Sequence, residues 1–360
     1  MKLMKLTKSI AIFLVILGVC LLTGCHQNQI PVDGVDCDEN PEHEECIEKP
    51  VDCEKNPEHE ECIEDEEYPF SLGFTLYELK DSQGKPLNAY SVGDYTGEDT
   101  VVKIPSVFKD KPVIKIKDNT FADDTKITKV IIPDSIEILG KSIFSNCKSL
   151  KEVVFEGLGK IQVIPDNTFY KCLSLEKISI PTSVKQIGDL AFYGCSSISE
   201  LRVPISVVSI GRSAFGAMSS LSTLSVPFIG GGRADSTEVD VLGFVFDNIY
   251  TEFTSPISQK VSDKSTKTYF IPNTLKTIEI LPGKINSIGY GALSGVTSVE
   301  TIIIPSNITK FGDDAFAGAT GINRILYSGS ENDWQLIIGH YDTGNKEILD
   351  KVEVIFNYKK

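Results

Sequence analysis

The chain has 360 residues, 41% of them hydrophobic, enough to build the core of one large domain or two ordinary ones. Its formal net charge is −15, from 50 acidic and 35 basic residues, which excludes the basic footprint of a nucleic-acid-binding protein. Four histidines, His26, His43, His59 and His340, leave little material for Ser-His or Cys-His nucleophilic chemistry, so catalysis is not expected.

Residues 1–24 read as an export signal. Lys2, Lys5 and Lys8 precede an apolar run from Ile10 to Leu22, shorter than the roughly 20 residues a spanning helix needs and of the length found in secretory h-regions. The run closes in Leu22-Thr23-Gly24-Cys25, which resembles the lipobox of bacterial lipoproteins. A plain secretory signal ends instead in small residues of A-x-A type, and none stands between Leu21 and Gln29. The resemblance implies cleavage before Cys25 and lipidation of Cys25, with the mature chain held on the outer side of the cell membrane. Each buried CH₂ of such an anchor contributes about 0.8 kcal/mol. An uncleaved N-terminal helix is the alternative, and it leaves the protein on the same side.

Residues 25–67 form an acidic stretch. Between Asp33 and Glu67 stand 17 acidic residues and two lysines, Lys49 and Lys55, so this segment alone accounts for the net charge and the remainder sums to zero. It is an internal duplication: Val35 to Pro50 is repeated at once by Val51 to Glu67, with a period of 16. Few apolar residues and many like charges argue for an extended stalk rather than a core. Each copy carries two cysteines, Cys37 with Cys46 and Cys53 with Cys62. On a non-cytosolic side two local disulfides are the simplest pairing, and three connectivities are open. A metal site around His43 or His59 is the alternative. The copies lack the closely paired cysteines of a zinc site, which leaves weak Ca²⁺ attraction as its form, so no metal or cofactor is assigned.

From Tyr68 onward a period appears. Phe121, Phe144, Phe169, Phe192 and Phe215 are spaced by 23, 25, 23 and 23 residues, and Leu293 to Phe316 is again 23. A fixed period in this range signals a stacked array. The expected fold is a repeat solenoid, mainly β, with parallel strands from units of about 23 residues and a cap at each end. The unit Leu175 to Cys195 shows the logic. Leu175, Ile178 and Ile180 alternate with outward Lys177 and Ser179, as a strand requires. Pro181 ends the pairing, Val184 and Ile187 form a second apolar piece, and Gly188 lets the chain turn back toward Ala191 and Phe192.

This unit resembles the BspA-like leucine-rich-repeat family, which runs Leu-x-x-Ile-x-Ile-Pro-x-Ser-Val-x-x-Ile-Gly-x-x-Ala-Phe-x-x-Cys. The pattern recurs in Lys129 to Phe144, Glu200 to Phe215 and Thr301 to Phe316. Phe155-Glu156-Gly157 replaces Ile-Pro in a unit two residues longer, where a bulge is expected. Cys147, Cys172 and Cys195 each stand three residues after a repeat phenylalanine, and Asp124, Met218, Val296 and Ala319 occupy that column elsewhere. Mostly small or apolar occupants indicate a packing column of free thiols. A partial disulfide between neighbouring turns is the alternative.

The resulting organisation is an N-terminal cap and first repeat over 68–120, regular repeats over 121–225, an irregular excursion over 226–270, further repeats over 271–327 and a C-terminal cap over 328–360. Trp334 is expected to shield the last turn, with ligand stacking as the alternative. Gly230 to Gly232 are followed by no G-K-[ST], so a phosphate loop is rejected. The excursion reads as a structured protrusion, and as a loop on a rigid scaffold it is a candidate for a specific contact.

Along the strands the first outward position runs Lys129, Glu152, Lys177, Glu200, Thr223, Thr277, Thr301 and Arg324, a charge ladder that sets register. The second runs Ile131, Val154, Ser179, Arg202, Ser225, Glu279, Ile303 and Leu326, apolar at both ends. The binding candidates are Ile131, Val154, Lys177, Arg202, Ile303 and Leu326. The family resemblance implies adhesion-type binding of extracellular, host or microbial surface proteins, with glycans as a second class of partner. Two other readings are a spacing rod of the cell envelope and a polysaccharide-acting enzyme using Asp235 and Glu238.

Overall fold

A computed structural model describes residues 71, 73–157, 159–232, 241–283, 285–339 and 343–359. Cys25, Cys37, Cys46, Cys53 and Cys62 lie outside the described residues, as do Asp235 and Glu238. The chain divides into two units, Met1–Glu67 and Tyr68–Lys360, and the described residues all belong to the second.

That unit is a mainly β solenoid. Each turn contributes a short strand in which alternate residues are buried, as in Lys129–Ile132 with Val130 and Ile132 inside. Among the described residues ten such strands, from Val101–Lys103 to Glu353–Ile355, form a first ladder of parallel pairs. Pairing runs in two stretches, Val101–Lys103 to Lys177–Ile178 and Glu200–Arg202 to Glu353–Ile355. A proline or glycine within three residues of the end of each strand but the last keeps these strands at two to four residues.

A second ladder is made of two-residue strands around the middle of each unit, among them Val163–Ile164, Gln186–Ile187 and Ser209–Ile210. On the third side the described residues form no strands, yet their backbone is also paired from turn to turn. The N–H of Phe121 donates to Ile143, Phe144 to Thr168, Phe169 to Ala191 and Phe192 to Ala214, at 2.7–2.9 Å. Every side of the spiral thus satisfies its main chain through its neighbour, as a buried backbone must.

The core is a file of phenylalanines. Phe121, Phe144, Phe169 and Phe192 stack face to face at 5.1–5.4 Å, and Phe215 follows at 6.2 Å and 45°. Phe74 and Tyr95 cover the outer face of the file at Phe121, at 5.8 and 5.4 Å, and leave that ring buried. Beside this file the thiols of Cys147, Cys172 and Cys195 donate to the carbonyls of Phe121, Phe144 and Phe169 at 2.9, 3.0 and 3.2 Å. All three cysteines are buried and free, which rules out the alternative of a bridge between turns.

Gly188 acts by close approach rather than by turning the chain. Its φ is not positive, and a Cβ there would lie 2.5 Å from the backbone nitrogen of Asp166 in the preceding turn; the same holds at Gly140, Gly211 and Gly312, at 2.3–2.6 Å. The longer unit keeps its strand to Phe155, which pairs with Ile132, and takes up its extra residues in a glycine turn with Gly157 and Gly159 at positive φ.

At the N-terminal end, an antiparallel hairpin of Thr75–Lys80 and Pro86–Gly93 joins the solenoid by parallel pairing with Lys111–Ile116. At the other end stand helix α1 (Glu331–Ile338), helix α2 (Thr343–Leu349) and a last strand, Glu353–Ile355, paired with Arg324–Tyr327. A reciprocal capping box between Ser330 and Asp333 starts α1. Trp334 is buried, with its ring 5.3–6.5 Å from those of Phe311, Tyr327 and Phe356. It shields the last turn and presents no free face to a ligand.

The excursion leaves the first ladder intact, since Thr223–Val226 pairs directly with Thr277–Ile280. Gly231 accepts the N–H of Ile210 at 2.6 Å, and a Cβ there would strike Phe244 and Ile210, so the triple glycine serves close packing. A 3-10 turn at Leu242–Val245 then supplies the missing rung on the third side. It takes the N–H of Ser213 and Phe215 on its carbonyls and donates from Leu242 to Ala292. The buried amide of Gln259 stitches it down, accepting from Gly243 and donating to Ala292. The rest of the excursion is the antiparallel hairpin Thr254–Ser262 with Ser265–Pro272. It lies against the solenoid, with Ile257, Gln259, Val261, Tyr269 and Ile271 buried and the Lys260 N–H donating to Ser294. The expected protrusion is thus reduced to the exposed segment leading into the hairpin, with Ile249, Tyr250 and Phe253.

Candidate functional site

The structure places all six binding candidates on strands of the first ladder, and it joins some of them directly. Ile131 pairs with Val154 and with Lys103, and Ile303 pairs with Leu326, which in turn pairs with Ile355. The four apolar candidates are half-buried, Ile355 is 40% exposed, and Lys177 and Arg202 are exposed. Two apolar strips therefore stand at opposite ends of one face.

The middle of that face is polar and internally engaged. Ser225 and Glu279, read from the sequence as outward, are both buried. Ser225 donates to Glu279 Oε2 at 2.6 Å, and Arg202 reaches the same oxygen at 3.3 Å. The buried carboxylate is satisfied by the buried Ser225 hydroxyl on one side and by the exposed Arg202 guanidinium on the other, because a buried charge must be hydrogen-bonded and paired. On the adjacent column Lys129–Glu152 and Arg324–Glu353 are paired at 2.9 and 3.2 Å, exposed pairs that contribute about 0.2–1 kcal/mol each.

A second concave feature lies on the third side, where sequence reasoning placed no candidate. It is an open groove of about 750 Å³. Successive turns form one wall, with Lys148, Lys171, Leu173 and Tyr193, and the residues leading into the hairpin, Tyr250 to Thr254, form the other. The groove exists because the turn columns shrink along the stack. Lys148 and Leu173 give way to Ser196 and Ser219, and Lys171 gives way to Gly194 and Ala217. Above these small residues stand Ile249, Tyr250 and Phe253, 59, 64 and 53% exposed.

The aromatic side chains here are held in place. Tyr193 stacks on Tyr170 at 5.4 Å and 19°, the Lys171 ammonium sits 5.1 Å from the Tyr170 ring centre, and Tyr250 meets Phe270 edge-on at 5.8 Å. Asp247 accepts the N–H groups of Asn248 and Ile249, shaping the turn that presents Tyr250. Burial, and then the Asp247 carboxylate, push the Tyr193 phenol up to about 12, so it stays a neutral donor. The signal for half of this groove was legible: Tyr170 and Tyr193 each follow a repeat phenylalanine. Tyr250 and Phe253 lie where the period fails.

The three repeat cysteines are not nucleophiles. Burial pushes the Cys147 thiol up to about 12 and raises those of Cys172 and Cys195 well above the usual thiol range, so the reactive thiolate is not formed at neutral pH. Among the described residues no group of three or more His, Cys, Asp or Glu is placed to hold a metal ion. Among them, too, no helix is long and apolar enough to cross a membrane.

The sequence matches the family model of the BspA type leucine rich repeat region in six copies, over residues 114–229 and 244–334. Among solved structures, it is similar to a leucine-rich-repeat protein of T. pallidum, at 19% identity over 69% of this chain and 88% of that one, with a TM-score of 0.42. A leucine-rich cell surface protein of Faecalibacterium prausnitzii matches at 18% identity over 74% and 96%, with a TM-score of 0.42. A leucine-rich-repeat protein of Bacteroides ovatus matches at 20% identity over 79% and 77%, with a TM-score of 0.41. No curated protein matches the chain.

Proposed function

The chain belongs to the BspA-type leucine-rich-repeat family, and from that membership we propose that it is an exported, lipid-anchored surface protein that binds other proteins, without catalysis, across the first-ladder face. The observation that carries this reading is the outward column on one parallel ladder, with apolar strips at Ile131–Val154 and at Ile303–Leu326–Ile355. Ten rungs at about 4.8 Å make a strip about 43 Å long, which offers two separated apolar anchors. Contiguous exposed apolar surface of this kind marks protein interaction sites. The partners are extracellular, host or microbial surface proteins, with glycans as the second class.

The test is capture by the immobilised full chain from a panel of purified extracellular matrix and cell-surface proteins. A partner should be retained, and Ile131→Glu and Ile303→Glu should each weaken it at least tenfold. If both variants retain every partner as well as the parent does, the face is not the binding surface. If nothing is retained, the chain is a spacing rod. The anchor is tested separately: Cys25→Ser should move the protein from the membrane fraction to the soluble one.

A further inference from the structure

We infer that the groove on the third side is a second binding site, which takes an extended peptide segment of a partner protein in which acidic residues flank apolar or aromatic ones. The inference rests on the protein-binding reading but uses a different face of the solenoid. Its dimensions suit a short strand of chain. From the turn of Lys148 to the turn of Ser219 is three steps along the stack, each about 4.8 Å. The groove is therefore about 14 Å long, the span of about four extended residues at 3.3 Å each.

Its chemistry is graded along that length. One end carries Lys148 and Lys171, both exposed, and neither is paired with a carboxylate among the described residues. The middle carries Leu173, Tyr193, Tyr250 and Phe253, of which Leu173, Tyr250 and Phe253 are 41, 64 and 53% exposed. A peptide with carboxylates at the lysine end and apolar side chains beyond it satisfies both parts. Desolvating the lysines opposite a neutral or basic partner would leave their charge uncompensated.

A sugar is a poorer fit. Carbohydrate stacking needs an open aromatic face, and those of Tyr170 and Tyr193 are turned on one another, with Lys171 over Tyr170. The large exposed side chains of Tyr250 and Phe253 are instead the kind that anchor protein interfaces.

The experiment uses the full chain and fluorescein-labelled peptides followed by anisotropy. The probes are Asp-Glu-Leu-Phe-Leu, its charge-reversed form Lys-Lys-Leu-Phe-Leu and its polar form Asp-Glu-Ser-Ser-Ser, with a panel of neutral oligosaccharides beside them. The first peptide should bind at least tenfold more tightly than the other two. Phe253→Ser should abolish that advantage, and the double variant Lys148→Glu, Lys171→Glu should turn the preference toward the charge-reversed peptide. All three side chains are exposed, so melting temperatures should not move. Ile303→Glu on the ladder face should leave peptide binding intact, which separates failure of this site from failure of the other. Equal binding of the charge-reversed peptide, binding of no peptide, or oligosaccharide binding lost in Phe253→Ser would each overturn the proposal.

Discussion

The side-chain oxygen of Asn345 accepts the backbone N–H of Phe316 at 2.8 Å, in the place where each earlier repeat phenylalanine donates to the carbonyl of the next turn. The amide nitrogen of Asn345 donates to the carbonyl of Gly312, also at 2.8 Å. One buried amide on α2 thus imitates the peptide group of a turn that does not exist, and so ends the third ladder. Asn345→Leu keeps the volume and removes both bonds, leaving the buried N–H of Phe316 without a partner, while the Gly312 carbonyl keeps the N–H of Ala315 at 3.2 Å. One such unpaired group costs about 1–3 kcal/mol, so the urea midpoint should fall by the equivalent of about 2 kcal/mol. Hydrogen exchange at the Phe316 amide should speed up most. Unchanged protection at Phe316 would show that the amide is not the terminator.

Gly188→Ala tests why the Ile-Gly pair recurs. If glycine served only to bend the chain, alanine at a non-positive φ would be tolerated. The Cβ would instead sit 2.5 Å from the nitrogen and Oδ1 of Asp166, and the turn spacing itself would have to widen. Overpacking against backbone costs about 1–3 kcal/mol or more. The expected outcome is a clear drop in melting temperature for Gly188→Ala and for Gly211→Ala, larger than that for Gly84→Ala, an open hairpin site with nothing within 4 Å. Gly84 has φ +81°, so even that control carries the ordinary cost of a side chain in the left-handed region.

The solenoid was legible because one pattern is written many times: Leu175, Ile178 and Ile180 define a strand, and Phe169 to Phe192 define the turn. The phenylalanine file, the cysteine column and the shielding role of Trp334 follow from that register. Three things were not. Ser225 and Glu279 sit at outward positions, and only the contact between them shows why they are buried. The rung at Leu242–Val245 has none of the repeat's letters, because a carbonyl at the right height is all its neighbours require. The groove depends on residues about 60–100 positions apart in sequence, such as Lys148 and Tyr250, and no local pattern brings those together.

The three repeat thiols give the array a predictable alkaline limit. In the unfolded chain a cysteine ionises near pH 8.5, whereas burial holds Cys147 at about 12 and keeps Cys172 and Cys195 well above the usual thiol range. The folded state therefore retains protons that the unfolded state gives up. Stability is unaffected by these groups below about pH 8.5 and falls as pH rises above it, by about 1.4 kcal/mol per thiol per pH unit. Replacing all three by alanine should flatten the decline between pH 9 and 11, from a lower starting stability. In the parent, iodoacetamide at pH 8.5 should leave Cys147, Cys172 and Cys195 unmodified until urea is added, as read by peptide mass. Labelling of any of them in the native chain would contradict the burial.

A left-handed position recurs one residue before the cysteine column. It is occupied by Asp123 (φ 63°), Asn146 (61°), Lys171 (56°), Gly194 (75°), Ala217 (53°), Gly295 (68°) and Gly318 (68°). These turns need this conformation to bring the chain around the phenylalanine, and only glycine adopts it without strain. An L-residue costs roughly 1–2 kcal/mol there, while glycine loses about 0.4–1 kcal/mol through the greater freedom of its unfolded chain. Ala217→Gly should therefore stabilise by about 0.5–1 kcal/mol. Gly194→Ala should do the reverse and somewhat more, since its Cβ would also press on Lys171 Cγ at 3.2 Å. The two substitutions are chemically opposite and one turn apart, so equal shifts of the same sign in melting temperature would mean that the backbone at this column is not the constraint.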